Sequence, residues 1–455
     1  MTKPEVFSVN QKIYRNEGAI LGTGQKLYKR AKRLIPGGNM LLSKRPEMFL
    51  PENWPAYFSK AKGAKLWDLD NNEYIDMSIM GIGTNSLGYG NVEVDEAVSN
   101  TIRNGNLSTF NCAEEVYLAE KLIEMNPWAD MVRFARTGGE ANAIAIRIAR
   151  AATGKNNVAV CGYHGWHDWY LSANIGSKNK LNTHLLPGLN PLGVPSNLED
   201  TVFPFDYNNI EMLIDLCDNK DIGIIKMEVI RNIQPKDNFI QKVRDLATKR
   251  GIVLIFDECS SGFRESFGGI FNNYSVYPDM AMFGKTIGNG YALTAIVGKD
   301  SIMKSAQDTF ISSTFWTERI GPTAALKTLE VMQRVKSWET ITEIGLKVRK
   351  GWKELAKAND LKISLAGIPA LSSYSFDDNL NLEFHTYVTQ EMLKKGFLAA
   401  DRFYACTEHN DEILDKYFEA LNGVFRNIND IIKSGKNIND FLEGPVRHSG
   451  FKKIN

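Results

Sequence analysis

The stretch GIVLIFDECSSGFRESFGG, residues 251–269, drives five apolar residues, Ile252 to Phe256, into the acidic pair Asp257 and Glu258. A carboxylate at the end of a buried strand costs free energy unless a cation meets it. A second apolar run, PDMAMFGKTIGNG, ends on Lys285 and is followed by Gly288 and Gly290. A lysine in that setting points into a crevice. Once desolvated, its amine loses its proton more easily and forms a Schiff base with a carbonyl compound.

Three further clusters have chemical potential. In VRFARTGGEANAIAIRIAR a strand-like segment reaches Thr137, Gly138 and Gly139 just before a helix. Glycine allows close backbone approach, and the first N–H groups of a helix are free donors at a positive dipole end, which makes a phosphate seat. A glycine turn before a helix is also common structural punctuation. In VCGYHGWHDWY, Tyr163 and His164 follow a strand, where parallel sheets collect ligands, and a flat aromatic there could stack on a planar ring. His164, His167 and Asp168 could instead suggest a metal, but no distant third cluster supports one. MEVIRNIQP places Glu228 and Asn232 at the end of another apolar run.

A phosphate seat, a stacking aromatic, a buried carboxylate and an inward lysine together are what pyridoxal 5′-phosphate requires. The lysine holds the aldehyde as an imine, and the carboxylate pairs with the protonated ring nitrogen. The cation opposite Asp257 is then that pyridinium.

The elements around these residues alternate. VDEAVSNTIRNG, AEEVYLAEKLIEM and ANAIAIRIARAAT have helical spacing, whereas NNVAVCG, IGIIKMEVI, GIVLIFDE and MAMFGK are short apolar runs. Near-continuous apolar strands between helices predict an α/β fold with a mostly parallel sheet covered on both faces. Before them, a short basic helix spans Gln25 to Leu34, and AKLWDLDNNEYIDMS reads as a hairpin turning at Asp70 to Asn72. After Thr314 the chain is mostly helical. We expect an N-terminal segment over 1–75, a large cofactor-binding domain over 76–325 and a smaller α+β domain over 326–455, with the N-terminal segment joining the small domain.

Composition restricts the partners. With 455 residues, 43% hydrophobic and 24% charged, the chain can bury a large core. A formal net charge of +1 gives no reason to expect nucleic acid or an anionic membrane, so the ligand is expected to be small. Five scattered cysteines with no CxxC pair argue for a reducing compartment. No signal-like or membrane-spanning run is evident, and a cytoplasmic location is expected.

The motifs RLIPGG, AKGAKLWDLDNNEYIDM, NSLGYG, TGGEANAIAIRIAR, GYHGWHD, DECSSGFR and FGKTIGNG, in that order, resemble the class III, fold-type I pyridoxal-phosphate aminotransferases, in the glutamate-1-semialdehyde aminomutase-like branch. The resemblance covers nearly the whole chain. It implies Lys285 as Schiff-base lysine and proton shuttle, and Asp257 as partner of the ring nitrogen. It also implies Gly138 and Gly139 at the phosphate, Tyr163 stacked on the ring and Cys259 against the opposite face, where the family usually has Val. Thr314, in SSTFWT, is similar to the threonine that reaches the phosphate of a neighbouring subunit, which implies a homodimer with a shared site. Glu228 resembles the glutamate after the family's middle strand; His164 and Asn232 flank the same cofactor.

Departures fall where substrate is read. Thr137-Gly138-Gly139 stands for the usual Ser-Gly-Thr, GNGYAL for Gly-Gly-Gly-x-Pro, and TFWTERIG for a Gly-Asn-Pro stretch; Tyr404 stands where true aminomutases carry a glutamate. The expected reaction is therefore amino transfer from a donor, glutamate in much of the family, to a separate carbonyl substrate through pyridoxamine phosphate. Intramolecular transfer, as in glutamate-1-semialdehyde 2,1-aminomutase, is the alternative; residues 176–197 would then be a gating loop or, equally, a dimer contact. A non-catalytic binding protein is disfavoured because Lys285 and Asp257 are both present. Arg264, Arg319, Lys44 and Arg45 are candidates for substrate anions, with surface roles equally open.

Overall fold

The computed structural model describes residues 22–454 except 178, 179, 183, 185, 186 and 231. Residues 1–21 of the expected N-terminal segment, and part of the expected gating loop, lie outside the described residues.

Three sheets organise the chain. The first strands are β1 (Phe58–Lys62), β2 (Lys65–Asp68) and β3 (Glu73–Met77). The central strands are β4 (Met131–Ala135), β5 (Asn157–Cys161), β6 (Val202–Pro204), β7 (Ile222–Glu228), β8 (Val253–Glu258), β9 (Met280–Phe283) and β10 (Thr294–Gly298). The last are β11 (Ile363–Ala366), β12 (Leu371–Phe376), β13 (Phe397–Ala399) and β14 (Arg402–Tyr404).

The central sheet runs β4-β10-β9-β8-β7-β5-β6. Strands β9, β8, β7, β5 and β6 are mutually parallel, and β10 is antiparallel to both β4 and β9. Period-two alternation sorts its side chains. In β8, Val253 and Ile255 join a core beneath helix Gly138–Thr153, with Ile144 and Ile148. Leu254 and Phe256 face the opposite core, which includes Leu118 and Leu122 of helix Ala113–Met125 and Val243 and Ala247 of helix Phe239–Arg250. Asp257 and Glu258 therefore leave the same strand on opposite faces.

The hairpin expected around Asp70 to Asn72 is present as β2 and β3, and the four-stranded sheet β1-β2-β3-β13 closes with β13 parallel to β3. The third sheet is β11-β12-β14. Over these lies a separate core from helices Ser337–Ala358 and Asp411–Lys433, where the buried Trp352 indole donates to the Tyr417 hydroxyl at 2.8 Å. Among the strands that the sequence patterns did not single out, β1 is mostly exposed, and β10 follows a glycine turn with no polar alternation.

Candidate active site

Strand ends β5, β7, β8 and β9 share one rim of the central sheet. Asp257 is 3% exposed there, and its Oδ2 lies 2.9 Å from His164 Nδ1. Its Oδ1 accepts the Cys259 N–H at 3.1 Å. The Lys226 ammonium, fully buried in mid-β7, stands 3.8 Å from Oδ2. Burial alone would raise the Asp257 pKa, but Lys226, His164 and the Cys259 N–H outweigh it and hold the carboxyl well below the usual range. Asp257 is an ionised carboxylate with its charge directed at the rim.

Glu258, next in sequence, behaves oppositely. It faces the other core, accepts from Ser261 Oγ at 2.5 Å and from the Phe271 N–H at 3.2 Å, and burial pushes its pKa up to about 8. At neutral pH it is an uncharged structural acid. The two members of the pair thus have separate roles, fixed by the pleat.

Lys285 begins the turn after β9 at φ +41°, a left-handed conformation unusual outside glycine. Its Nζ donates to Ser260 Oγ, three residues beyond Asp257. Backbone strain of this kind collects at functional sites. Asp257 and Lys285 thus reach the same rim from neighbouring parallel strands.

The glycine turn is built as a seat. Thr137 is the N-cap of helix Gly138–Thr153, accepting the Glu140 N–H, while Glu140 Oε2 accepts the Thr137 N–H at 2.9 Å. This capping box uses the Glu140 donor and leaves the helix's first N–H groups, at Gly138 and Gly139, without carbonyl partners inside the helix. A Cβ on Gly139 would lie 2.8 Å from His167 Cε1, and one on Gly165 3.0 Å from the Gly139 Cα. Only glycines permit that approach. Cys259 Sγ lies 3.9 Å from where a Gly138 Cβ would be, which brings Cys259 beside the seat.

Tyr163 sits after β5, with its N–H donated to Glu228 Oε2 at 3.0 Å. Gly162, at φ +115°, makes this possible, since a Cβ there would lie 2.6 Å from the same oxygen. The Tyr163 ring meets Tyr170 edge-on at 6.1 Å. Glu228 and Asn232 line a cavity of about 310 Å³ with Gly162, His184 and Asp206, beside the Asp257 cluster. His164 reaches Asp257, and its Nε2 makes no hydrogen bond among the described residues. Thr314 stands apart, exposed in the turn Thr314–Thr317.

Two of the candidate anion binders are engaged elsewhere. Arg264 is fully buried and donates to Gly83 O at 2.5 Å and Ser260 O at 2.6 Å. It ties the left-handed turn Met80–Gly83, where all four residues have positive φ, to the Asp257 loop. Arg319 is paired with Glu114 at 2.5 Å. Lys226, next to Asp257, escaped the sequence reading, although a lysine inside IGIIKMEVI was its visible signal.

Residues 51–403 match the family Aminotransferase class-III. The 3-aminobutyryl-CoA aminotransferase of Cloacimonas acidaminovorans is 34% identical, covering 88% of this chain and 96% of that protein. The glutamate-1-semialdehyde 2,1-aminomutase of Methanothrix thermoacetophila is 32% identical over 88% of this chain and 96% of its own length. Among solved structures, the Sphingopyxis FumI protein with PLP superposes with a TM-score of 0.82 at 25% identity, covering 92% of this chain and 100% of that one. The residues at the rim suit that cofactor: an ionised buried carboxylate for a ring nitrogen, a lysine for an aldehyde, and a glycine turn that a Cβ at Gly139 or Gly165 would crowd.

Proposed function

Because this chain belongs to the class III aminotransferases and is a pyridoxal-phosphate enzyme, we propose that it moves an amino group from glutamate to a separate carbonyl substrate. The observation that carries this reading is the convergence of Asp257 and Lys285 on one rim, with Ser260 Oγ held by the lysine. The cofactor, when bound, supplies an electron sink and a temporary carrier for the amino group.

The chain's own residues supply the rest. Lys285 would hold the cofactor through Nζ and would move a proton at the substrate carbon that bears the amine. Ser260 Oγ orients that amine. Asp257, kept ionised, would hold the ring nitrogen's proton, and His164 fixes the carboxylate's direction. The Gly138 and Gly139 N–H groups would bind the phosphate, and Tyr163 and Cys259 would pack against the ring. Glu228 fixes Tyr163 through its N–H. Asn232 lines the neighbouring cavity.

We further propose a homodimer in which Thr314 reaches the partner's phosphate seat. Phe310 and Phe315, 83% and 70% exposed, flank Thr314 and suit a covered surface. Among the described residues no helix is long and apolar enough to cross a membrane, and a cytoplasmic location is part of the same proposal.

The Cloacimonas relative favours transfer between molecules and a 3-oxoacyl thioester as acceptor; the Methanothrix relative favours the mutase outcome. Tyr404 tilts the balance to the first, since it stands where a mutase carries a glutamate. Incubation with ¹⁵N-glutamate and the 3-oxo thioester corresponding to 3-aminobutyryl-CoA separates the two. Label in a new amine together with 2-oxoglutarate supports the proposal. Turnover of glutamate 1-semialdehyde with no amino donor contradicts it.

A further inference from the structure

Lys226 occupies the middle of β7, fully buried, with Val160 and Ile255 as its register partners on the neighbouring strands. A methionine or isoleucine at that point would fill the same space without placing an ammonium in the core. Its Nζ donates to Met282 Sδ at 2.9 Å and stands 3.8 Å from Asp257 Oδ2, the oxygen that also meets His164. Burial lowers the Lys226 pKa and Asp257 opposes this by favouring the ammonium; with both groups buried, their attraction is weakly screened. Nothing in the transamination chemistry calls for a second lysine beneath the ring's carboxylate.

We propose that Lys226 is a positioning residue: a resident counter-ion that holds Asp257 ionised and aimed before the cofactor arrives, and then shares that carboxylate with the ring nitrogen. The proposal rests on the assignment of Asp257 to the ring nitrogen made above. Two cations on one carboxylate compete. Lys226 therefore stabilises the protein without cofactor, and it loosens the hold of Asp257 on the ring proton once the cofactor is bound. The other ionisable groups around the pair are His164 and His184 behind β5, Glu228 on β7, Cys259 on the Asp257 loop and Lys285 after β9. All of them remain in the variants below.

The test uses the full chain with ring-¹⁵N pyridoxamine 5′-phosphate, which makes no bond to Lys285, and the variants Lys226→Met, Asp257→Asn and the double variant. Lys226→Met without ligand should melt several degrees lower than wild type. It should nevertheless bind pyridoxamine phosphate about threefold to tenfold more tightly, in line with removal of a competing charge. The bound ring nitrogen should titrate at higher pH. In the Asp257→Asn background, Lys226→Met should change neither affinity nor titration, because the cycle isolates the coupling.

Binding that is unchanged or weaker in Lys226→Met overturns the proposal, since a residue that merely fills the core would lower stability and affinity together. An undiminished effect in the Asp257→Asn background also overturns it. If Asp257→Asn leaves the ring nitrogen's titration unmoved, the failure lies in the assignment of Asp257, and the proposal falls with it. If Asp257→Asn moves that titration and Lys226→Met does not, only the role of Lys226 falls.

Discussion

Asp257 and His164, 93 residues apart in the chain, meet 2.9 Å apart with both side chains buried. Burial pulls the His164 pKa down, against the Asp257 hydrogen bond, which raises it. The contact fixes the carboxylate's direction whichever tautomer the ring adopts. A hydrogen bond to a buried charge is worth about 1.5–3 kcal/mol. His164→Phe should therefore lower kcat/KM about 10- to 100-fold while cofactor binding persists, a result steady-state kinetics and cofactor absorbance measure together.

The seat at Gly139 has no room for a methyl group, because His167 lies within 2.8 Å of the position a Cβ would take. Gly139→Ala should displace His167 and block the phosphate approach. Loss of cofactor affinity by at least tenfold is expected, measured by titrating the protein with pyridoxamine phosphate. The fold itself should survive, since alanine suits the first turn of a helix.

Glu258 gives stability a pH dependence of known sign. Its folded pKa of about 8 lies above its unfolded value of 4.5, so the folded state keeps a proton that the unfolded state releases between those values. Below the unfolded pKa the two states bind that proton equally; as pH rises towards 8, the contribution is lost, by a few kcal/mol at most. Glu258→Gln should melt with a flatter pH profile over this window. Denaturant melts at several pH values check this.

Much of this arrangement was legible in the sequence because it obeys strong local rules. The apolar run ending on Asp257, the run ending on Lys285 and the glycine pair before a helix each announce a strand or helix terminus, and the parallel sheet places such termini on one rim. What stayed hidden depends on contacts between strands. Lys226 sits beneath Asp257 only because of the β7–β8 register, and the carbonyl partners of Arg264 come from Ser260 and the distant Met80–Gly83 turn. The divergent fates of Asp257 and Glu258 follow from the pleat, but the charge on Asp257 also depends on Lys226 of β7 and His164 after β5, whereas Glu258 keeps its proton because it is buried.

Arg264 is predicted to act on stability. Replacing it with methionine would leave Gly83 O and Ser260 O unpaired in the interior, at about 1–3 kcal/mol each. Arg264→Met should lower the melting temperature by several degrees. A KM for the amino donor that stays near wild type in the folded fraction distinguishes this role from substrate binding.

The central claim is that Lys285, with Asp257 on the adjacent strand, holds the cofactor. Lys226 stands 3.8 Å from that carboxylate, and Lys285 reaches Ser260 Oγ three residues beyond it. Borohydride reduction of the pyridoxal-phosphate-loaded protein, followed by peptide mass mapping, tells them apart. The account predicts a phosphopyridoxyl group on Lys285 and its loss in Lys285→Ala. The same group on Lys226, or on no lysine of the central sheet, would contradict it.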